Sequence, residues 1–223
     1  MSSVRVAFRD ECERLERVLH GLDEAALDRP TPCPPWRVRD LLAHVSTGAG
    51  RLVAMLAEPA PPKPEVSAAA YFGTAKFTPE VDRDRIEGAR AAAHACSGVV
   101  EAAREFGRAW RSTDAAVAAE PPGRVVRTRH GDAMAVTEFL RTRVVEVAVH
   151  GLDLADALDR PPWTTPAAAA VVVDVLTAGR PVPAGLGWDP ATVLRKATGR
   201  LPTIGAERAA LAAAGIRRLA FGR

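Results

Sequence analysis

Residues 137–156, TEFLRTRVVEVAVHGLDLAD, carry the pattern from which the rest of the chain can be read. At helical spacing Arg143, Glu146, His150 and Asp153 recur at i, i+3, i+7 and i+10, a single polar stripe on one face. Leu140, Val144, Val145, Ala148, Val149, Leu152 and Ala155 form a broad apolar flank beside it. A carboxylate and an imidazole one turn apart, bordered by core residues, bind a divalent metal when another ligand faces them. The matching third residue is His44, in the segment 37–46, RVRDLLAHVS.

Outward from this helix, the spacing predicts a helix over residues 3–28, with Val4, Phe8, Cys12, Leu15, Leu19 and Leu22 inward. Asp10, Glu11, Glu13 and Arg14 are left for solvent. Four prolines in residues 30–35 end that helix, and Trp36 is expected to anchor the corner. A second helix runs over 38–58 with Leu41, Leu42, Val45, Leu52, Val53 and Leu56 as its stripe and His44 at the edge. Asp40, one turn before His44, is placed to accept from the ring nitrogen that a metal does not use. A connection from Pro59 to Pro79 contains Tyr71, Phe72 and Phe77 and has the length of a crossover or a pocket cover.

Residues 80–119 read as a third helical stretch, with Ile86, Ala93, Val99, Val100, Phe106 and Trp110 as core; Gly88, Gly98 and Gly107 argue against one unbroken helix. RVVRTR (124–129) and AMAV (133–136) flank His-Gly-Asp, a short hairpin or extended turn before Thr137, the expected N-cap of the fourth helix. The fold class is therefore mainly α: a four-helix bundle over 1–160 with a long crossover connection, followed by a small helical extension over 161–223. Within that extension helices are expected over 165–178, from an Asp189 cap to Ala197, and over 204–214.

Bulk properties narrow the function classes. Hydrophobic residues make up 48% and charged residues 26%, a globular balance. No apolar run approaches the roughly 20 residues that span a bilayer, and the charged N-terminus lacks a signal-like apolar core; the expected location is cytoplasmic, with no membrane partner. Thirty basic residues against 27 acidic give +3, with the signs interleaved, which argues against a nucleic-acid surface. Cys12, Cys33 and Cys96 form no CxxC and imply neither a disulfide framework nor a cysteine zinc site. Cys33 precedes the second helix, but the prolines on both sides fit a packed loop residue. Among the other histidines, His20 and His94 fit solvent or helix-end roles, whereas His130 is placed to line a pocket.

Spacing alone leaves two readings of the stripe. An isolated E-x-x-x-H is also a common solvated pair, and a lone His44 beside a core stripe is also a structural histidine. Arg143 fits either a simple bridge to Glu146 or a clamp for a substrate carboxylate. If the three residues do converge, three nitrogen and oxygen ligands with open positions suit catalytic zinc, and nickel, manganese or iron are compatible.

TPCPPWRVRDLLAHVS (31–46) together with VVEVAVHGLDLADAL (144–158) resembles the DinB/YfiT-like metalloprotein superfamily, in its branch typified by mycothiol-dependent maleylpyruvate isomerase. The resemblance covers about residues 5–160. It implies a DinB-like bundle in which His44, Glu146 and His150 hold zinc, with mycothiol, a sugar-linked cysteine thiol, as cosubstrate. The isomerase-like members carry a separate C-terminal domain; the tail here looks like that of small members of the same branch. The implied activity is activation of a low-molecular-weight thiol for S-transfer to, or isomerisation of, a small electrophilic metabolite. Asp153 is then expected to support a ligand or accept a proton, Arg143 to orient substrate, and His130 to contact the cosubstrate. Two alternatives keep the bundle: a thiol-independent metal-dependent enzyme of hydrolysis or rearrangement, and a non-catalytic metal-stabilised ligand-binding bundle. A closed fourth ligand would favour the last. Monomer and homodimer are both compatible with such a bundle.

Overall fold

The structure, a computed structural model, describes residues 2–72, 78–216 and 218–219; Phe77 of the expected pocket cover lies outside the described residues. The helices are α1 (Ser2–Leu19), α2 (Val38–Ala57), a short α3 (Ala68–Tyr71), α4 (Pro79–Ala95), α5 (Val99–Ala119) and α6 (Val136–Ala157). Beyond them come α7 (Pro166–Thr177), α8 (Pro190–Ala197) and α9 (Gly205–Ala213). The mainly helical, DinB-like architecture is the one the periodicity and the resemblance predict. Four of these helices, α1, α2, α5 and α6, pack as a bundle: α1 lies against α5 and α6, and α2 against α5 and α6, with α4 laid on α2. Among the described residues no helix is long and apolar enough to cross a membrane.

The order of burial follows from α6. It buries Phe139, Val147 and Leu154 in addition to the expected flank, so it is enclosed on nearly every side rather than amphipathic. Its polar stripe is therefore held inside the protein. Its start differs from the expectation: β2 runs directly into it, Ala135 takes the N-cap position without a side-chain cap, and Val136 N–H donates to the Arg124 carbonyl at 2.9 Å. The hairpin thus satisfies a first-turn N–H that Thr137 was expected to help satisfy. That hairpin pairs β1 (Val125–Arg127) antiparallel with β2 (Ala133–Ala135), Val126 facing Met134. Its turn carries Arg129 and His130 and uses Gly131 at φ +88°, a left-handed conformation natural to glycine.

The third helical stretch breaks at Cys96–Gly98 into α4 and α5. The cause is a contact from elsewhere in the chain. Glu24, in a 3-10 turn over Glu24–Asp28, accepts from the Val99 N–H at 2.9 Å and so caps α5. A Cβ on Gly98 would lie 2.7 Å from that carboxylate, so glycine is what permits the approach. The same turn shortens the first predicted helix, which ends at Leu19. Val53 and Val100 are 40% and 60% exposed, contrary to the stripe assignment, because Leu52 and Val99 take the inward directions next to them.

The C-terminal helices share the bundle's core. α7 lies on α1 and α6, and Trp163, Ala168, Val172, Val175, Leu176, Leu194 and Ala197 belong to the same apolar cluster as the bundle. This explains Glu11, which was left for solvent and is fully buried: α7 covers it, and one of its oxygens accepts from the Thr165 N–H at 2.8 Å at the mouth of that helix. The other oxygen is buried without a partner among the described residues. Burial pushes the Glu11 carboxyl up to about 7, with the Thr165 bond and Arg14 pulling the other way.

A carboxyl whose folded pKa lies above its unfolded value favours folding while protonated and loses that advantage as pH rises. From its ordinary range to about 7, the loss amounts to roughly 3 kcal/mol at about 1.4 kcal/mol per unit. Glu11→Gln keeps the acceptor for Thr165 and removes the titration. Denaturant unfolding at pH 5 and pH 8 is expected to show a smaller loss for the variant than for the wild type; identical losses would contradict the burial argument.

Candidate metal centre

Three side chains from α2 and α6 meet at the floor of a cavity of about 180 Å³. His44, from the middle of α2, places Nε2 at 2.6 Å from Glu146 Oε1. His150, one turn after Glu146 on α6, places Nε2 at 3.4 Å from the same oxygen. Donor atoms of His44, Glu146 and His150 all lie within 4.8 Å of one another. Two ligands about 2.05 Å from a tetrahedral zinc ion are roughly 3.3 Å apart, so the Glu146–His150 spacing already fits, and His44 needs to open by about 0.7 Å. That shorter distance is a hydrogen bond between imidazole and carboxylate.

The surroundings set protonation. Burial lowers the His44 pKa, against the attraction and hydrogen bond of Glu146. Burial pushes Glu146 up, but His44, His150 and Arg143 overcome it and hold the carboxylate well below its usual range. For His150 burial is again outweighed, here by bonds to Asp153, Cys33 and Glu146, and its pKa rises well above the ordinary value. A cation at this point would compete with the His150 proton and meet an ionised Glu146.

Asp153 is fully buried behind His150 and takes its Nδ1 at 3.0 Å, which directs Nε2 toward Glu146 and His44. It does not line the cavity. Burial raises its pKa, but His150 and Arg200 hold it well below the normal carboxylate range. Cys33 Sγ also donates to Asp153, at 3.2 Å, and Cys33, His150 and Asp153 bring one donor atom each within 4.8 Å. Asp40 accepts from the Arg37 N–H at 2.9 Å at the start of α2 and so is spent on the helix end; it was expected to take a ring nitrogen of His44. Trp36 instead stacks on His44, centroids 4.7 Å apart, and meets His150 edge-on at 6.4 Å.

Arg143 and His130 both line the cavity. Arg143 crosses the Phe139 ring at 4.8 Å and comes only to 3.9 Å from Glu146, too long for a strong bridge. Gly48, one turn after His44, leaves room for it: a Cβ there would sit 3.2 Å from Arg143 Nη1. His130 lies against Tyr71, centroids 6.0 Å apart, in the hairpin turn. The sequence reading missed Arg51 and Arg129, which complete a basic wall with Arg143, and Arg85, which lines the cavity paired with Asp82 at 2.7 Å. Arg51 carried a signal, since it stands two turns from His44 at i+7 on the same helix face. Burial, with repulsion from Arg129 and Arg143, lowers its pKa, the mark of gathered cations. Tyr71 and Phe72 close the cavity from α3, the position expected of them as a cover.

The fold is shared with two solved structures. A crystal structure of a histidine-to-alanine mutant of the mycothiol-dependent maleylpyruvate isomerase superposes with a TM-score of 0.53 at 18% identity, over 79% of this chain and 68% of that one. A crystal structure of the mycothiol-dependent maleylpyruvate isomerase gives 0.50 at 19% identity, over the same shares of each chain. No curated protein matches the chain. Residues 8–155, which hold α2, α6 and all three converging donors, match the family described as mycothiol maleylpyruvate isomerase N-terminal domain, and the chain belongs to that family.

Proposed function

We propose that the protein is a divalent-metal enzyme, with zinc the best-suited ion, that activates a low-molecular-weight thiol such as mycothiol toward a small electrophilic metabolite. The supporting observation is the convergence of His44, Glu146 and His150 at the floor of a cavity in a member of this family. The donors fit the ion by kind, and by spacing once His44 opens from Glu146, and Asp153 fixes the His150 tautomer as ligating histidines require. Three protein ligands leave coordination open, which suits a catalytic site. When bound, the ion supplies Lewis acidity, lowering the pKa of a cosubstrate thiol from its ordinary value near 8.5.

The chain's own residues do the rest. His44 and His150 hold their ligating nitrogens against Glu146, whose charge stays ionised at neutral pH. Trp36, Tyr71 and Phe72 shield the floor from water. Arg51, Arg129 and Arg143 bind and orient an anionic electrophile over it, and His130 meets the cosubstrate at the rim. Addition of the thiol to an unsaturated carbon, bond rotation and elimination give an isomer and return the thiol; without elimination the product is the conjugate.

Elemental analysis is expected to give about one zinc per chain, lost in His44→Ala and in His150→Ala. Because His150 keeps its proton above the ordinary histidine range, zinc must displace it, and affinity is expected to climb about tenfold per pH unit through neutrality. Folded wild type that takes up no zinc would overturn the metal reading. Arg51→Met is expected to raise KM for an anionic electrophile about ten- to hundred-fold with kcat little changed, and to leave a neutral electrophile unaffected. Equal effects on both substrates would remove Arg51 from substrate binding.

A further inference from the structure

We infer that Arg200, in the turn after α8, is a positioning residue for the metal centre, acting through Asp153 on His150. This rests on the metal reading above and adds to it a residue from outside the bundle. Arg200 Nε lies 3.1 Å from Asp153 Oδ1 and its Nη2 2.7 Å from Oδ2, a two-pronged pair in which neither side chain has any exposure. Its remaining nitrogen, Nη1, donates to the Thr198 carbonyl at 2.7 Å, so the guanidinium plane is fixed by its own turn. Backbone bonds fix that turn in its place: the Arg200 and Leu201 N–H groups both donate to the Arg195 carbonyl, at 2.7 and 3.0 Å. Gly199, at φ +78°, supplies the left-handed step that the turn requires.

Asp153 Oδ2 therefore receives His150 Nδ1, Cys33 Sγ and Arg200 Nη2 together. Each part has a consequence for the ligand. The carboxylate is held in one plane, so the imidazole it orients is held in one rotation about its ring. Its charge is matched by the guanidinium, so it accepts the His150 N–H without an uncompensated anion beneath the metal floor. A bidentate fork is the geometry that lysine cannot reproduce. Arg200 is not among the residues that line the cavity, and it reaches the ligand His150 through Asp153.

The test is zinc affinity, by chelator competition, on purified full-length wild type, Arg200→Met, Arg200→Lys, Asp153→Asn and the Asp153→Asn/Arg200→Met double variant, with visible spectra of the cobalt-loaded proteins. Arg200→Met is expected to weaken zinc binding about ten- to hundred-fold and to alter the cobalt spectrum. In the Asp153→Asn background the same change is expected to cost less than about threefold, since the partner it acts through is gone. Arg200→Lys, which keeps the charge and loses the fork, is expected to fall between, and decides the matter if Arg200→Met does not fold. Wild-type affinity and spectrum in a folded Arg200→Met or Arg200→Lys variant would overturn the inference, as would an undiminished loss in the Asp153→Asn background. Absence of zinc binding by the wild type overturns the metal reading and this inference with it, a result distinct from normal wild-type binding with unaffected variants.

Discussion

A fully buried, ionised carboxylate at the centre of a helical bundle must be met by donors on every side, and Asp153 is such a group. Its needs connect parts of the chain that lie far apart. The proline-rich corner brings Cys33, α6 brings His150, and the turn after α8 brings Arg200. The C-terminal helices are thus tied to the floor of the cavity by a charged contact as well as by the apolar contacts of α7 with α1 and α6.

On the other face of His150 the logic reverses. Glu146 is held ionised by three basic neighbours, and both histidines aim at the same oxygen. A half-buried and a buried imidazole sharing one carboxylate oxygen form a donor set suited to a divalent cation. The basic wall above, from α2, the hairpin and α6, then gives the cavity a polarity suited to anions at its sides and cations at its floor.

Much of this was legible in the sequence, for a physical reason. Helical periodicity links residues one turn apart, so Glu146, His150 and Asp153 were visibly on one face; His44 stood at the edge of another predicted apolar stripe, and the family resemblance, not spacing, joined it to them. The mainly α fold followed from the same periodicity. Contacts made across the chain left no local trace: Glu11 read as a solvent residue because nothing near it shows that α7 will cover it. Arg200 lies 47 residues from its partner, in a turn whose local pattern reads only as surface. The break before α5 was suggested by Gly98 but explained only by Glu24, which approaches from another turn. Asp40 illustrates the opposite error, where spacing permitted a bond to His44 and a nearer helix end took it.

The central claim is an open metal position, held by His44, Glu146 and His150, that accepts a thiol sulfur. X-ray absorption at the zinc edge tests it directly. The zinc-loaded protein is expected to show only nitrogen and oxygen neighbours at about 2.0–2.2 Å, and to gain a sulfur neighbour at about 2.3 Å when mycothiol is added. A shell that already contains sulfur from Cys33, or one that mycothiol leaves unchanged, would contradict the account.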